Sequence, residues 1–155
     1  MAIADLTPIS DTPIDLLELR HRRRESALGQ LVQACAHAGV LRHPGVVLTS
    51  LLRRERLGTT ALGRGVAVPS LHSLLVRRPF VLLGRSARGL EWSAPDEDAV
   101  TLVAFVLTPA EFGAERHFQR VVAVTQALRL QRQRQRLIAA ADRAAVVALL
   151  AEVLA

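Results

Sequence analysis

The stretch 54–70, RERLGTTALGRGVAVPS, holds the residue types that would handle an anion. Arg54 supplies a fixed positive charge, and Thr59 and Thr60 supply hydroxyl donors. The amides of the glycine-containing loop lie nearby. Ser70 closes the stretch and His72 follows two residues later. Along an extended segment residues two apart face the same side, so Ser70 and His72 can share a face. His117, in the run Arg116-His117-Phe118, stands at the start of a helical stretch. An imidazole nitrogen is nucleophilic near neutral pH and can take up and release a phosphoryl group. A serine hydroxyl is a weak nucleophile without a base beside it, and its phosphate ester is stable, so it suits an end point or a switch better than a relay. Each of these residues also has a plain structural alternative. Arg54 can pair with Glu55 or another neighbour, Thr59 and Thr60 can hold the turn, His72 can lie at the surface, and His117 can be a packing residue.

Other chemistries are excluded. The chain has no lysine, so it offers no ε-amino group for a Schiff base and no P-loop. Its histidines (His21, His37, His43, His72 and His117) lack metal-ligand spacing, and Cys35 is the one cysteine, so neither a zinc cluster nor an internal disulfide is expected. No cofactor is expected.

The elements that must position these residues follow from apolar spacing. Residues 1–13, with Pro8 and Pro13 among threonines and a serine, read as a lead-in. Ile14–Leu19 reads as a strand and Arg22–Ala38 as a helix whose apolar positions Ala27, Leu28, Leu31, Val32 and Cys35 recur at three and four. Pro44 opens a second helix. Leu57–Gly65 reads as a loop, and Val66–Val68 as a short strand ended by Pro69. Pro79–Leu83 and Thr101–Leu107 are dense in Val, Leu and Phe, as expected of strands covered on both faces. Three helices close the chain, over 111–128, 130–140 and 143–154. The Arg-Gln alternation of 129–136 reads as a solvated helix, Arg22–Arg24 as a solvated helix start, and Trp92 as packing at the sheet edge or as part of a docking surface. The expected fold is a single α/β domain over 14–155, with a mixed central sheet of about five strands and helices on both faces.

The chain has 155 residues, half of them apolar, enough for one core and too few for two. No segment reaches the length of a membrane span and the N-terminus does not read as a secretory signal, so a cytoplasmic protein is the expectation. All 20 basic side chains are arginine and the net charge is +6. With 3% aromatics there is little to stack on bases, so specific nucleic-acid binding is not expected.

The motif of residues 54–70 resembles the signature of the type-2 EIIA domains of the bacterial phosphotransferase system (PTS), which include the fructose- and mannitol-type domains and the nitrogen-regulatory proteins. Arg54-Glu55, Gly58-Thr59-Thr60, Gly63-x-Gly65, Val66-Ala67-Val68 and Pro69 fall in step with that pattern. Gly89-Leu90-Glu91-Trp92 and Ala94-Pro95-Asp96 resemble its downstream segment. The resemblance implies a phosphate-holding role for Arg54 and places His117 at the second active-site histidine. It places Ser70 at the position of the histidine that accepts phosphate from an HPr-like phosphocarrier. A serine there implies a member that does not relay phosphate at the usual position and regulates a transporter, kinase or other enzyme by binding it, with homo-oligomerisation open. Two alternatives remain at this point: a working carrier that uses His72 or His117, and a sensor of a small anion or nucleotide in the old phosphate pocket.

Overall fold

The computed structural model describes residues 12–154, so most of the lead-in expected at 1–13 lies outside the described residues. In chain order the elements are β1 (Ile14–Glu18), α1 (Arg24–His37), α2 (Pro44–Leu57), β2 (Ala61–Gly63), β3 (Val66–Ala67), β4 (Ser70–Ser73), β5 (Phe80–Leu90) and β6 (Val100–Pro109). A 3-10 turn (Ala110–Phe112), α3 (Ala114–Arg129), α4 (Gln131–Ala139) and α5 (Arg143–Leu154) complete it.

The strands form one mixed sheet in the order β1-β5-β6-β3-β2, with β4 also on β6. β5 and β6 pair antiparallel at the centre, β1 runs parallel to β5, and β3 and β4 both run parallel to β6. β6 alternates its side chains between two cores. Val103, Phe105 and Leu107 pack toward Leu28, Leu31 and Val47 of α1 and α2. Leu102, Ala104 and Val106 pack toward Val124, Leu128 and Leu150 of α3 and α5. A strand with a core on each side has no polar face to offer, which explains the unbroken apolar run of its sequence. Each such Leu, Val or Phe contributes about 1.5–3 kcal/mol on burial.

The expected sheet and the helices on both faces are present. Several boundaries differ for physical reasons. The loop expected over 57–65 contains the three-residue strand β2, which pairs antiparallel with β3. β5 runs seven residues past Leu83, through the run Arg85–Arg88, because its pairing resumes at Leu90 after a register shift that leaves only Ala87 and Arg88 exposed. Gly84 lies where β5 passes under β1 and α1, and a Cβ there would meet Leu19 Cδ1 at 2.8 Å. The helix expected from Glu111 is split at Gly113, whose φ of 81° ends the 3-10 turn and leads into α3.

β4 carries two of the residues singled out in the sequence, Ser70 and His72. The chain leaves β3, passes Pro69, and rejoins the same edge of β6 farther along, with Ser70 opposite Val106 and His72 opposite Thr108. Pro69 donates no amide hydrogen, but its carbonyl accepts from the Val106 amide at 3.0 Å. The step places Ser70 and His72 at the C-terminal end of β6, where α3 begins.

Candidate functional site

Three pieces of chain meet at Ser70. The C-terminal turn of α2 and the loop behind it bring Arg54, Glu55, Thr59 and Thr60. Pro69 and β4 bring Ser70 itself. α3 brings Val121 and Thr125. Together they line an open cavity of about 280 Å³. The site residues named from the sequence therefore fall into two groups. Arg54, Thr59, Thr60 and Ser70 share the cavity wall, and Ser70, His72 and His117 form a contact cluster at its edge.

The cluster is built around His117. Its Nε2 lies 3.3 Å from Ser70 Oγ, and its Nδ1 lies 2.7 Å from Thr108 Oγ1. The ring stacks on His72, with centroids 5.2 Å apart and planes 13° from parallel. His72 Nε2 lies 3.3 Å from the carbonyl of Ala110, so that nitrogen can donate and anchor the ring to the 3-10 turn. Behind Thr108 stands Arg120, 3% exposed, which donates to the Leu107 carbonyl at 2.7 Å and to Thr108 Oγ1. Arg120 Nε and Nη2 are buried with no hydrogen-bond partner, and Arg120 makes no ion pair among the described residues. Burial, and then the neighbouring Arg116, pull the Arg120 guanidinium down to about 10. Burial first, then the charges of His72 and Arg120, pull His117 down to about 4. At neutral pH the His117 imidazole is therefore uncharged, with one ring nitrogen bearing hydrogen and the other a lone pair. It sits between two hydroxyls, Thr108 and Ser70, and can donate a hydrogen bond to one while accepting from the other.

The opposite wall is organised by Glu55, which is 4% exposed. Its carboxylate accepts from the Thr60 amide at 3.1 Å, from the Thr60 hydroxyl, and from the Trp92 indole at 3.3 Å. Arg24 lies 3.9 Å away. The pairing of Arg54 with Glu55 held open above is not formed. Adjacent residues on a helix point about 100° apart. Glu55 turns inward while exposed Arg54 donates to the Gly58 carbonyl at 2.6 Å, closing the end of α2. Thr59 Oγ1 accepts from the Ala61 amide at 3.0 Å, so both threonines hold the turn while lining the cavity. Trp92 is buried at 1% exposure, which removes it from any docking surface. Arg24 is not simply solvated, since it reaches the Trp92 carbonyl at 3.4 Å as well as Glu55.

Glu55, Thr108 and Arg120 were missed as site residues from the sequence, although spacing carried a signal for two of them. Val47, Leu51 and Glu55 recur every four residues along the buried stripe of α2. Arg120 shares the buried stripe of α3 with Val124, Ala127 and Leu128. A charge on an apolar stripe is one the fold must satisfy or use. Arg134 breaks the expectation of a solvated 129–136 helix in the same way. It is 8% exposed and donates to the carbonyls of Leu128 and Arg129, capping α3. Among the described residues no group of three His, Cys, Asp or Glu side chains is placed to hold a metal ion.

Comparison with known proteins places this geometry. The family model of the phosphoenolpyruvate-dependent sugar phosphotransferase system, EIIA 2, matches residues 11–153. The PTS fructose-specific EIIA component of Haloferax volcanii is 33% identical over 152 residues, which cover 96% of this chain and 98% of that protein. Among solved structures, the nitrogen regulatory protein IIA-Ntr of Neisseria meningitidis superposes with a TM-score of 0.78 at 23% identity, over 96% of this chain and 98% of that one. The mannitol IIA of Escherichia coli, solved in complex with phosphorylated mannitol IIB, superposes with a TM-score of 0.73 at 23% identity, over 90% and 94% of the two chains. With the family model spanning nearly the whole chain, and with the Arg54–Ser70 segment and α3 converging on one cavity, the chain belongs to the type-2 EIIA family of the phosphotransferase system.

Proposed function

We propose that this chain is a nitrogen-regulatory-like EIIA protein that acts by binding a protein partner and does not carry phosphate at the position usual for the family. The carrying observation is the identity and surroundings of Ser70. A hydroxyl stands at the cavity edge, 3.3 Å from His117 Nε2, where the family pattern has its phosphate-accepting imidazole. The rest of the pocket keeps Arg54 and the threonine turn on its wall, with neutral His117 beside Ser70 at its edge. A pocket retained around a missing nucleophile fits a domain read by its partner in one fixed state. The mannitol IIA relative is known in complex with its IIB, which supports a protein as the partner class. Exposed Leu62 on the cavity wall, and exposed Leu57 and Phe118 near it in the chain, supply apolar contacts for such a partner. The partner is an HPr-like phosphocarrier or a regulated transporter, kinase or enzyme, met in the cytoplasm.

The test is intact mass after incubation with phosphoenolpyruvate, enzyme I and the cognate phosphocarrier, beside a Ser70→His variant. The expected result is no added phosphate on the native chain and one acid-labile phosphate on the variant. Acid-labile phosphate on the native chain, lost in His117→Ala or His72→Ala, would replace this reading with that of a working carrier. A second reading is favoured by Arg120, a buried cation behind Thr108 and His117 that has no counter-ion among the described residues. It makes the Ser70 cavity a receptor for a small anion. Calorimetric titration with inorganic phosphate checks it, and absence of heat removes it.

A further inference from the structure

Beyond the Ser70 cavity, a larger recess of about 460 Å³ lies between the β2–β3 turn and the C-terminal end of α3. Three arginines, Arg64, Arg129 and Arg134, line it, and among the described residues no acidic residue does. The apolar side chains Leu62, Val66 and Leu128 complete most of it. We propose that this recess binds a small organic phosphate, its anionic group held by Arg64, Arg129 and Arg134 and its body resting on Leu62, Val66 and Leu128.

Three observations carry this assignment. The size suits a metabolite, since small-molecule sites fall in the range of about 300–1,000 Å³. Arg134 is preorganised: its Nη1 is fixed by the carbonyls of Leu128 at 3.0 Å and Arg129 at 2.6 Å in a nearly buried position, so little side-chain freedom is left to lose on binding. Its charge in part offsets the negative end of α3, which would otherwise repel an anion. Arg64 and Arg129 are exposed, and among the described residues neither makes an ion pair. Two acids lie close to the turn without lining the recess, Asp96 against Gly63 and Asp98 beyond it. Asp96 accepts from the Arg64 backbone amide at 2.7 Å, and Asp98 lines a neighbouring recess with Arg64 and Arg134. The Asp96 contact holds Arg64 in left-handed backbone, φ 57°, at the tip of the β2–β3 turn. A guanidinium presents a planar fork of donors that matches phosphate oxygens in pairs, so three around one recess form a phosphate site. Leu62 and Thr125 line both this recess and the Ser70 cavity, so a ligand here would touch the wall of the proposed regulatory site without occupying it.

The site is tested by titrating inorganic pyrophosphate and adenosine monophosphate separately into the ¹⁵N-labelled native chain at fixed ionic strength. The expected result is saturable shifts of the Arg64, Thr125 and Arg129 amides. The Arg64→Ala/Arg129→Ala double variant should lose about tenfold in affinity or more, and Arg54→Ala should leave it unchanged. Tighter binding of adenosine monophosphate than of pyrophosphate would confirm the apolar floor as part of the site. Equal or weaker binding would reduce the proposal to a bare phosphate site. No shift with either probe, non-saturating shifts spread over all arginine-bearing surfaces, or a loss confined to Arg54→Ala would overturn it. None of these outcomes depends on phosphate transfer at Ser70, so the fate of this recess and the fate of the regulatory reading are separable.

Discussion

Two buried charges flank Ser70, and the fold treats them oppositely. Glu55 has three hydrogen-bond donors, Thr60 through its amide and hydroxyl and Trp92 through its indole, and Arg24 stands near enough to balance its charge. Arg120 is as deeply buried, yet among the described residues two of its nitrogens have no partner and no carboxylate pairs with it. A satisfied buried charge behaves as scaffold, tying α2, the threonine turn and the segment around Trp92 into one unit. An under-satisfied one stores an unfavourable electrostatic term that an arriving negative charge relieves. The site therefore has a wall that shapes the cavity and, behind His117, a cation that sets the potential at its edge. Arg120 polarises Thr108, Thr108 contacts His117, and His117 contacts Ser70, so the positive field is directed to the edge where the nucleophile would stand.

If the division holds, truncating Glu55 has the largest effect. Glu55→Ala strands three donors in a dry environment and should cost about 3–5 kcal/mol of stability, read by denaturant unfolding. Glu55→Gln keeps the shape and part of the bonding and should recover a good fraction of that loss. A loss below about 1 kcal/mol for the alanine variant would show that water enters and replaces the network.

Arg120→Met removes a charge that the protein has not paired. Loss of its bonds to Leu107 and Thr108 is offset by relief of desolvation, so the stability change should be about 1 kcal/mol in either direction, well short of Glu55→Ala. The sharper readout is His117, which Arg120 helps to hold down. Its pKa should rise in the variant, followed by the imidazole proton shifts in NMR. An unchanged His117 titration would break the chain of influence from Arg120 to Ser70.

The contrast between the two walls also shows what was legible in the sequence. The fold was readable because β6 and α1 announce their faces through apolar spacing, and because the motif of residues 54–69 is long. β4 was not readable. Its residues Ser70–Ser73 form no apolar run, since the strand is held by backbone pairing to β6 while its side chains serve the cavity edge. The neutral state of His117 depends first on its burial, then on His72, brought in by β4, and on Arg120, three residues along the chain. No local pattern encodes that meeting. Arg54 and Glu55 read as a possible pair because they are neighbours in sequence, and helical geometry separates them.

The pH dependence of stability follows from the same histidine. His117 titrates near 6.5 in an unfolded chain and at about 4 in the folded one. Between those values the unfolded chain binds the extra proton. The contribution is fully present above pH 6.5 and is lost as pH falls toward 4. Because the ring is only half-buried, solvent screening should hold the loss to about 1 kcal/mol. His117→Gln should flatten the stability profile over that range, and an unchanged slope would assign the pH dependence to other groups.

The smallest effect on folding should come from Arg54, and here the comparison is most exposed to failure. Arg54 is solvent-exposed and makes one hydrogen bond to the Gly58 carbonyl, so Arg54→Ala should shift stability by about 0.5 kcal/mol or less. If Arg54 belongs to the anion-handling side of the cavity, its removal should matter when the pocket is put to use. In a Ser70→His background, Arg54→Ala should slow phosphoryl uptake from the phosphocarrier by tenfold or more, on the order of the loss expected when a charge-assisted contact to phosphate is removed. The measurement is the rate of phosphate incorporation by intact mass, with stability checked in parallel. Equal rates with and without Arg54 would assign it to closing the end of α2, and the potential at Ser70 would then rest on the Arg120 wall alone.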